Sequence, residues 1–169
     1  KKNPYATRLA YDTINNSIWY HTLAGVRCYS IDEKKIFYEG HNPGNLTVFQ
    51  LTERILFAID SNKLWYYNVS YFLLYSLDLK TLKESFEAEI IISSPRAVHT
   101  TANHDVWISS WNTPCILYSI SHKTIDSTFF KHYHDKSALS GNITNIYMDK
   151  EVNSWFCSTE GISIFNLQK

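Results

Sequence analysis

Four tryptophans, Trp19, Trp65, Trp107 and Trp155, recur along the chain at intervals of 46, 42 and 48 residues. Their surroundings recur with them. Trp19 is followed by Tyr29-Ser30-Ile31-Asp32, Trp65 by Tyr75-Ser76-Leu77-Asp78, Trp107 by Tyr118-Ser119-Ile120-Ser121 and Trp155 by Phe165-Asn166-Leu167-Gln168. A repeat of roughly 40–50 residues rich in strand formers predicts propeller blades, each an antiparallel sheet of four strands. The chain is therefore read as all-β, a β-propeller segment of about four blades at 6–40, 46–92, 96–135 and 142–169, the last lacking its outer strand.

Within each unit a short strand leads into a turn, and the tryptophan strand follows. The first strands are Arg8–Asp12, Ile55–Asp60, Ala97–Thr101 and Ile146–Asp149, and the turns carry Asn15-Asn16, Ser61-Asn62, Asn103-His104-Asp105 and Lys150 to Asn153. Asp and Asn close such hairpins by bonding nearby backbone and by tolerating the left-handed region. Asp12, Asp60 and Asp149 are accordingly read as turn formers, not catalytic carboxylates. The next turn holds Gly25 in unit one and Gly161 in unit four, where a positive φ costs glycine little. Units two and three replace that glycine by Asn68-Val69-Ser70 and Asn112-Thr113-Pro114. Third strands such as Phe72 to Leu77 are apolar on both faces, as a sheet covered on both sides requires. Fourth strands are expected at Ile36 to Glu39, Ser85 to Ile92 and Ser127 to Tyr133.

Composition removes several function classes. Lys plus Arg and Asp plus Glu number 16 each, giving zero net charge with no basic stripe to neutralise phosphates, so no nucleic-acid partner is expected. No apolar run, Phe72 to Tyr75 included, is long enough to span a bilayer, so no membrane contact by this segment is expected. Cys28, Cys115 and Cys157 form no Cys-x-x-Cys pair and are read as apolar packing groups. The chain opens Lys-Lys-Asn-Pro without a methionine and reads as an excised piece, so a missing signal peptide means little.

The fourth unit carries the most specific pattern: Ile143 to Asp149, then Asn153-Ser154-Trp155-Phe156-Cys157-Ser158-Thr159-Glu160-Gly161-Ile162-Ser163-Ile164-Phe165-Asn166. It resembles the two-component regulator propeller repeat, and unit one follows in outline through Asp12, Trp19, Thr22, Gly25 and Tyr29. Units two and three keep the tryptophan and the aromatic but lose the glycine. The resemblance implies the periplasmic sensor region of a hybrid two-component system of Bacteroidetes type. In that family, propellers of about seven blades commonly precede an immunoglobulin-like domain, a membrane helix and a histidine kinase, and many members recognise oligosaccharides. It also implies a structural role for the repeat itself, with Trp19, Trp65, Trp107 and Trp155 packing between blades and Gly25 and Gly161 making turns.

Ligand candidates therefore lie off the repeat. Trp111 follows the repeat tryptophan by four residues, in a loop with Asn112 and Pro114. A rim aromatic there suits stacking on a sugar ring, with Asn112, His104 or Asp105 bonding hydroxyls. The competing role is an apolar plug over the blade edge, the commoner fate of such a residue. His132 and His134 share one strand face at a chelating spacing, but no third ligand is near, and metal binding is not expected. His21 and His99 read as hydrogen-bonded groups. Asn-x-Ser/Thr sequons at Asn15, Asn45, Asn68 and Asn142 are what an Asn-rich chain gives by chance. No nucleophile motif, phosphate loop or acid pair is visible.

The reading is a non-catalytic, ligand-sensing propeller segment, glycan-responsive and periplasmic, with no cofactor, no metal and any kinase chemistry elsewhere. A propeller lyase or hydrolase is the alternative, and a protein-interaction scaffold of WD type the third, although Trp-Asp markers are absent from every unit. Partners expected are an oligosaccharide, the remaining blades of a parent propeller, and a homodimer. Two segments of four blades would close an eight-bladed ring. Alternatively Lys1 to Thr7 supplies the missing outer strand, with Pro4 confining it to an edge.

Overall fold

The computed structural model describes residues 8–22, 25–37, 42, 45–51, 55–111, 115–127 and 142–165. It is built from two compact units, Lys1–Glu89 and Ile90–Lys169, each holding two sheets.

In the first unit, β1 (Arg8–Asp12), β2 (Ser17–Thr22), β3 (Gly25–Ser30) and β4 (Lys35–Phe37) form one antiparallel meander. A second meander contains β5 (Ile55–Asp60), β6 (Lys63–Asn68), β7 (Leu73–Asp78) and β8 (Glu84–Glu89). Direct pairing puts Ala10, Trp19, Cys28 and Phe37 on one face of the first sheet. That face packs on Ile55, Phe57, Leu64, Tyr66 and Leu77 of the second. These residues lie opposite Trp65, which pairs with Ala58 and Ser76 on the other face. A tryptophan face thus meets the non-tryptophan face of the next blade.

The second unit repeats the arrangement. Here β9 (Pro95–Thr100), β10 (Val106–Ser110), β11 (Ile116–Ser119) and β12 (Thr124–Asp126) form one sheet, and β13 (Ile143–Met148), β14 (Ser154–Ser158) and β15 (Gly161–Phe165) the other. Trp107, Cys115 and Leu117 pack on Ile143, Ile146 and Phe156. Trp107 meets Phe156 edge-on, with ring centroids 5.2 Å apart. Dispersion over such contacts, not regular propensity, holds two thin sheets together.

Three differences from the sequence reading stand out, and one replacement it noted takes a definite form. Strand β12 begins at Thr124, not Ser127, because Ser119 pairs with Thr124 across a tight turn. A short helix α1 (Thr47–Gln50) precedes blade two, and Phe49 stacks on Trp19 at 5.6 Å. The helix has no side-chain N-cap of its own; Glu84 accepts from the amides of Thr47 at 2.8 Å and Val48 at 3.1 Å, and from the Tyr66 hydroxyl at 2.5 Å. Trp155 is only half-buried, whereas Trp19, Trp65 and Trp107 are 2%, 0% and 0% exposed. Finally, the turn that lacks glycine in blade two is closed by Asn68, whose Oδ1 accepts from the amides of Ser70 and Tyr71, with Phe72 at φ 61°. The segment 1–7, His132, His134 and Asn166 to Lys169 lie outside the described residues.

Candidate functional site

Trp111 lies just beyond the end of β10, half-buried, its amide donating to Ser94 O at 3.1 Å. Ser110 Oγ beside it donates to Ser93 O at 2.5 Å. These two bonds tie the exit of β10 to the entry of β9. The guanidinium of Arg96 lies 4.8 Å from the Trp111 ring centroid, a cation–π stack that fixes the indole plane and sets a positive group against it. A flat aromatic held on one side by a guanidinium suits a sugar ring, which offers C–H groups to the ring and hydroxyls to the cation. Asn112 lies outside the described residues.

His104 and Asp105 sit at the other end of β10, in the β9–β10 turn. With about 3.3 Å of rise per residue, Asp105 and Trp111 are separated by roughly 20 Å. Asp105 Oδ1 accepts from the amide of Ile120 at 2.9 Å, which joins two turns at that end. His104 has φ 67°, the left-handed position of its turn. The three described candidates therefore divide, Trp111 at one end of β10 and His104 with Asp105 at the other.

A cavity of about 190 Å³ opens in the first unit among Asp12, Asn15, Ser17, Trp19, Cys28, Phe37, Leu79 and Leu82. Asp12 is fully buried, yet its oxygens are already taken: Oδ1 accepts from the amides of Ile14 and Asn15, and Oδ2 from Asn15 Nδ2 at 2.7 Å and Ser17 Oγ at 3.4 Å. The indole N–H of Trp19 is the donor left without an acceptor among the described residues there. One spare donor fixes a single hydroxyl or water oxygen, too little for sugar recognition. Burial pushes the Cys28 thiol up to about 11 and the Cys115 thiol up to about 12, so both are neutral packing groups at physiological pH.

Among the described residues no three His, Cys, Asp or Glu side chains gather as a metal site, and no helix is long and apolar enough to cross a membrane. His99 Nε2 lies 2.9 Å from Asn145 Oδ1 and 3.3 Å from the amide of Ile146, which joins β9 to β13. It is a hydrogen-bonded inter-blade group.

No protein-family model matches the chain, and no curated protein matches it in sequence. Solved structures do match in fold. The extracellular domain of the putative one-component system BT4673 from B. thetaiotaomicron superposes with TM-score 0.66 at 19% identity, over 97% of this chain and 22% of that one. The extracellular domain of the putative hybrid two-component system BT3049 from the same organism gives 0.65 at 18% identity, over 99% of this chain and 23% of that one. Virginiamycin B lyase from Staphylococcus aureus gives 0.61 at 15% identity, over 97% of this chain and 55% of that one. The chain spans less than a quarter of the length of these sensor domains. Four antiparallel sheets of three or four strands, stacked tryptophan face to opposite face within each unit, make this chain an all-β segment of about four propeller blades.

Proposed function

We propose that the chain is a non-catalytic sensing segment from the extracytoplasmic, periplasmic region of a two-component regulator, with histidine kinase chemistry carried elsewhere in a longer protein. The proposed ligand is an oligosaccharide, and Trp111 with Asn112 is its proposed contact. The observation that carries this reading is the Trp111–Arg96 stack, which lies off the repeat and presents an aromatic plane beside a guanidinium. The fold likeness to the BT4673 and BT3049 extracellular domains supports the sensing role. His104 and Asp105 would serve the same ligand only if it reached the opposite end of the blade.

Titration of the chain with oligosaccharide pools, followed by tryptophan fluorescence, tests the proposal. A saturable change that Trp111→Ala removes while the circular dichroism spectrum stays intact supports it. A response that survives Trp111→Ala moves the site elsewhere. One competing reading is a carbohydrate-active propeller enzyme; the fold likeness to a lyase favours catalysis in general and not a carbohydrate substrate. Sustained product release from any glycan by the pure chain would replace the sensor reading with that one.

A further inference from the structure

The cavity beside Trp19 has a chemistry of its own. It lies on the tryptophan face of the sheet β1–β4, where Asp12 closes the first hairpin, and Leu79 and Leu82 from the β7–β8 turn complete its wall. Its volume, about 190 Å³, is larger than the roughly 150 Å³ at which an apolar cavity takes up benzene. One wall is apolar, formed by Trp19, Cys28, Phe37, Leu79 and Leu82. The Cys28 thiol, pushed up to about 11 by burial, adds no charge to it. The other wall, Asp12, Asn15 and Ser17, is polar but committed to itself. Four donors already meet the Asp12 carboxylate: the amides of Ile14 and Asn15 on Oδ1, Asn15 Nδ2 and Ser17 Oγ on Oδ2. A cation entering here would have to break these bonds. An anion would face the carboxylate with no opposite charge among the lining residues. What the walls leave over is one donor. Trp19 is 2% exposed, and its indole N–H has no acceptor among the described residues. Phe49, stacked on the indole at 5.6 Å with planes 21° apart, holds the ring in place.

We propose that this cavity is a binding site for a neutral, ring-sized molecule with a single acceptor oxygen, a cyclic ketone in its simplest form. The apolar body lies against Phe37, Leu79 and Leu82, and the oxygen accepts from Trp19 Nε1. The two halves of the assignment rest on separate observations: volume and apolar wall select the ring, and the orphaned N–H selects the oxygen. Water serves the N–H but leaves the apolar wall wet, whereas a ring-sized ketone serves the N–H and takes that wall out of water. A hydroxyl in place of the carbonyl would need an acceptor of its own, and the Asp12 oxygens already hold four donors. The site lies in the first unit and is independent of what the Trp111 surface binds.

Proton–nitrogen correlation spectra of the chain read the outcome through the indole N–H signals of its five tryptophans. Trp19→Phe keeps an aromatic ring, removes the N–H and identifies the Trp19 signal by its loss. Titration with cyclohexanone should shift that signal saturably and leave the Trp111 signal in place. Cyclohexylammonium and cyclohexanecarboxylate, of the same ring size but charged, should move neither. By saturation transfer observed on the ketone, Trp19→Phe should bind about three- to tenfold more weakly, the worth of one neutral hydrogen bond. Leu82→Phe, at the half-buried edge of the cavity, narrows it and should abolish the shift while the remaining signals show the fold kept. A Trp19 signal that never moves means that water alone serves the N–H, and overturns the proposal. So does an equal response to either charged analogue, a ketone affinity unchanged by Trp19→Phe, or a shift that survives Leu82→Phe.

Discussion

Trp155 Nε1 donates to Asp149 Oδ2 at 2.7 Å, locking the indole of the fourth blade to the residue that opens its hairpin. Asp149 lies opposite Asn153, whose carbonyl accepts from its amide, and Trp155 follows Asn153 by two residues. The same register recurs. Asp12 lies opposite Ser17, two residues before Trp19; Asp60 lies opposite Lys63, two before Trp65; Thr101 lies opposite Asp105, two before Trp107. Yet the indole N–H groups of Trp19 and Trp65 find no acceptor among the described residues. Local chemistry accounts for the first: Asn15 and Ser17 occupy Asp12 Oδ2. Only blade four leaves its carboxylate oriented for the indole.

That lock titrates. Hydrogen bonds from Asn153, then from Trp155, hold the Asp149 carboxyl at about 2, below its ordinary 3.8. Because the folded value is depressed, its contribution to stability is present above the unfolded value and is lost as pH falls through the folded one. The difference in Tm between wild type and Asp149→Asn should therefore hold constant from neutral pH to about 4 and close between roughly 4 and 2. An equal difference at pH 2 and pH 7 would sink the assignment.

Trp107 and Trp155 occupy equivalent register positions but different surroundings. Trp107 is fully buried against Phe156 and Phe165, so Trp107→Ala should cost about 3–5 kcal/mol in a urea melt. Trp155 is half-buried on an open face, and Trp155→Ala should cost less than half as much, roughly 1–2 kcal/mol. Equal costs would mean that the Trp155 face is covered in solution.

Most of the fold was legible because the repeat is written in spacing. The tryptophan and the hairpin Asp fix strand register, and register fixes which face each side chain takes. What escaped was non-local. Nothing near Thr47 announces a helix, since its first amides are satisfied by Glu84, 37 residues away in blade two. The burial of Trp155 escaped for a related reason: periodicity assigns a face but not what covers it. The candidate ligand cluster grouped residues by nearness in sequence, and a single extended strand then carried Trp111 about 20 Å from Asp105. Arg96 is the partner that sequence did not single out; its place two residues into β9, beside the exit of β10, is set by hairpin pairing.

The two turn glycines should respond unequally to alanine. Both need positive φ, +99° at Gly25 and +134° at Gly161. A Cβ at Gly25 would also lie 2.9 Å from the carbonyl oxygen of Leu51, while at Gly161 it meets nothing within 4 Å. Backbone strain alone costs about 1–3 kcal/mol. Gly161→Ala should fall within that range and Gly25→Ala above it, as read by denaturant midpoints at unchanged m. A smaller loss at Gly25 than at Gly161 would contradict the close packing of β3 on Leu51.

The β13–β14 turn offers a gain. Each of the four equivalent turns places one residue in the left-handed region: Asn16 at φ 44°, Ser61 at 51°, His104 at 67° and Val152 at 66°. Asn tolerates that conformation, but a β-branched side chain crowds its own backbone there. Val152 makes no large apolar contribution to offset this, since it is absent from the buried cluster of its unit. Its amide bonds Asp149 O at 3.2 Å, an interaction any residue but proline retains. Val152→Asn should therefore raise stability by about 0.5–1.5 kcal/mol, and Val152→Gly by less, because glycine also loosens the unfolded chain. Val152→Ile, which keeps the branch, should show no gain. Thermal melts of the three variants at one protein concentration decide the matter: a loss on Val152→Asn would mean that the valine side chain packs usefully in this turn.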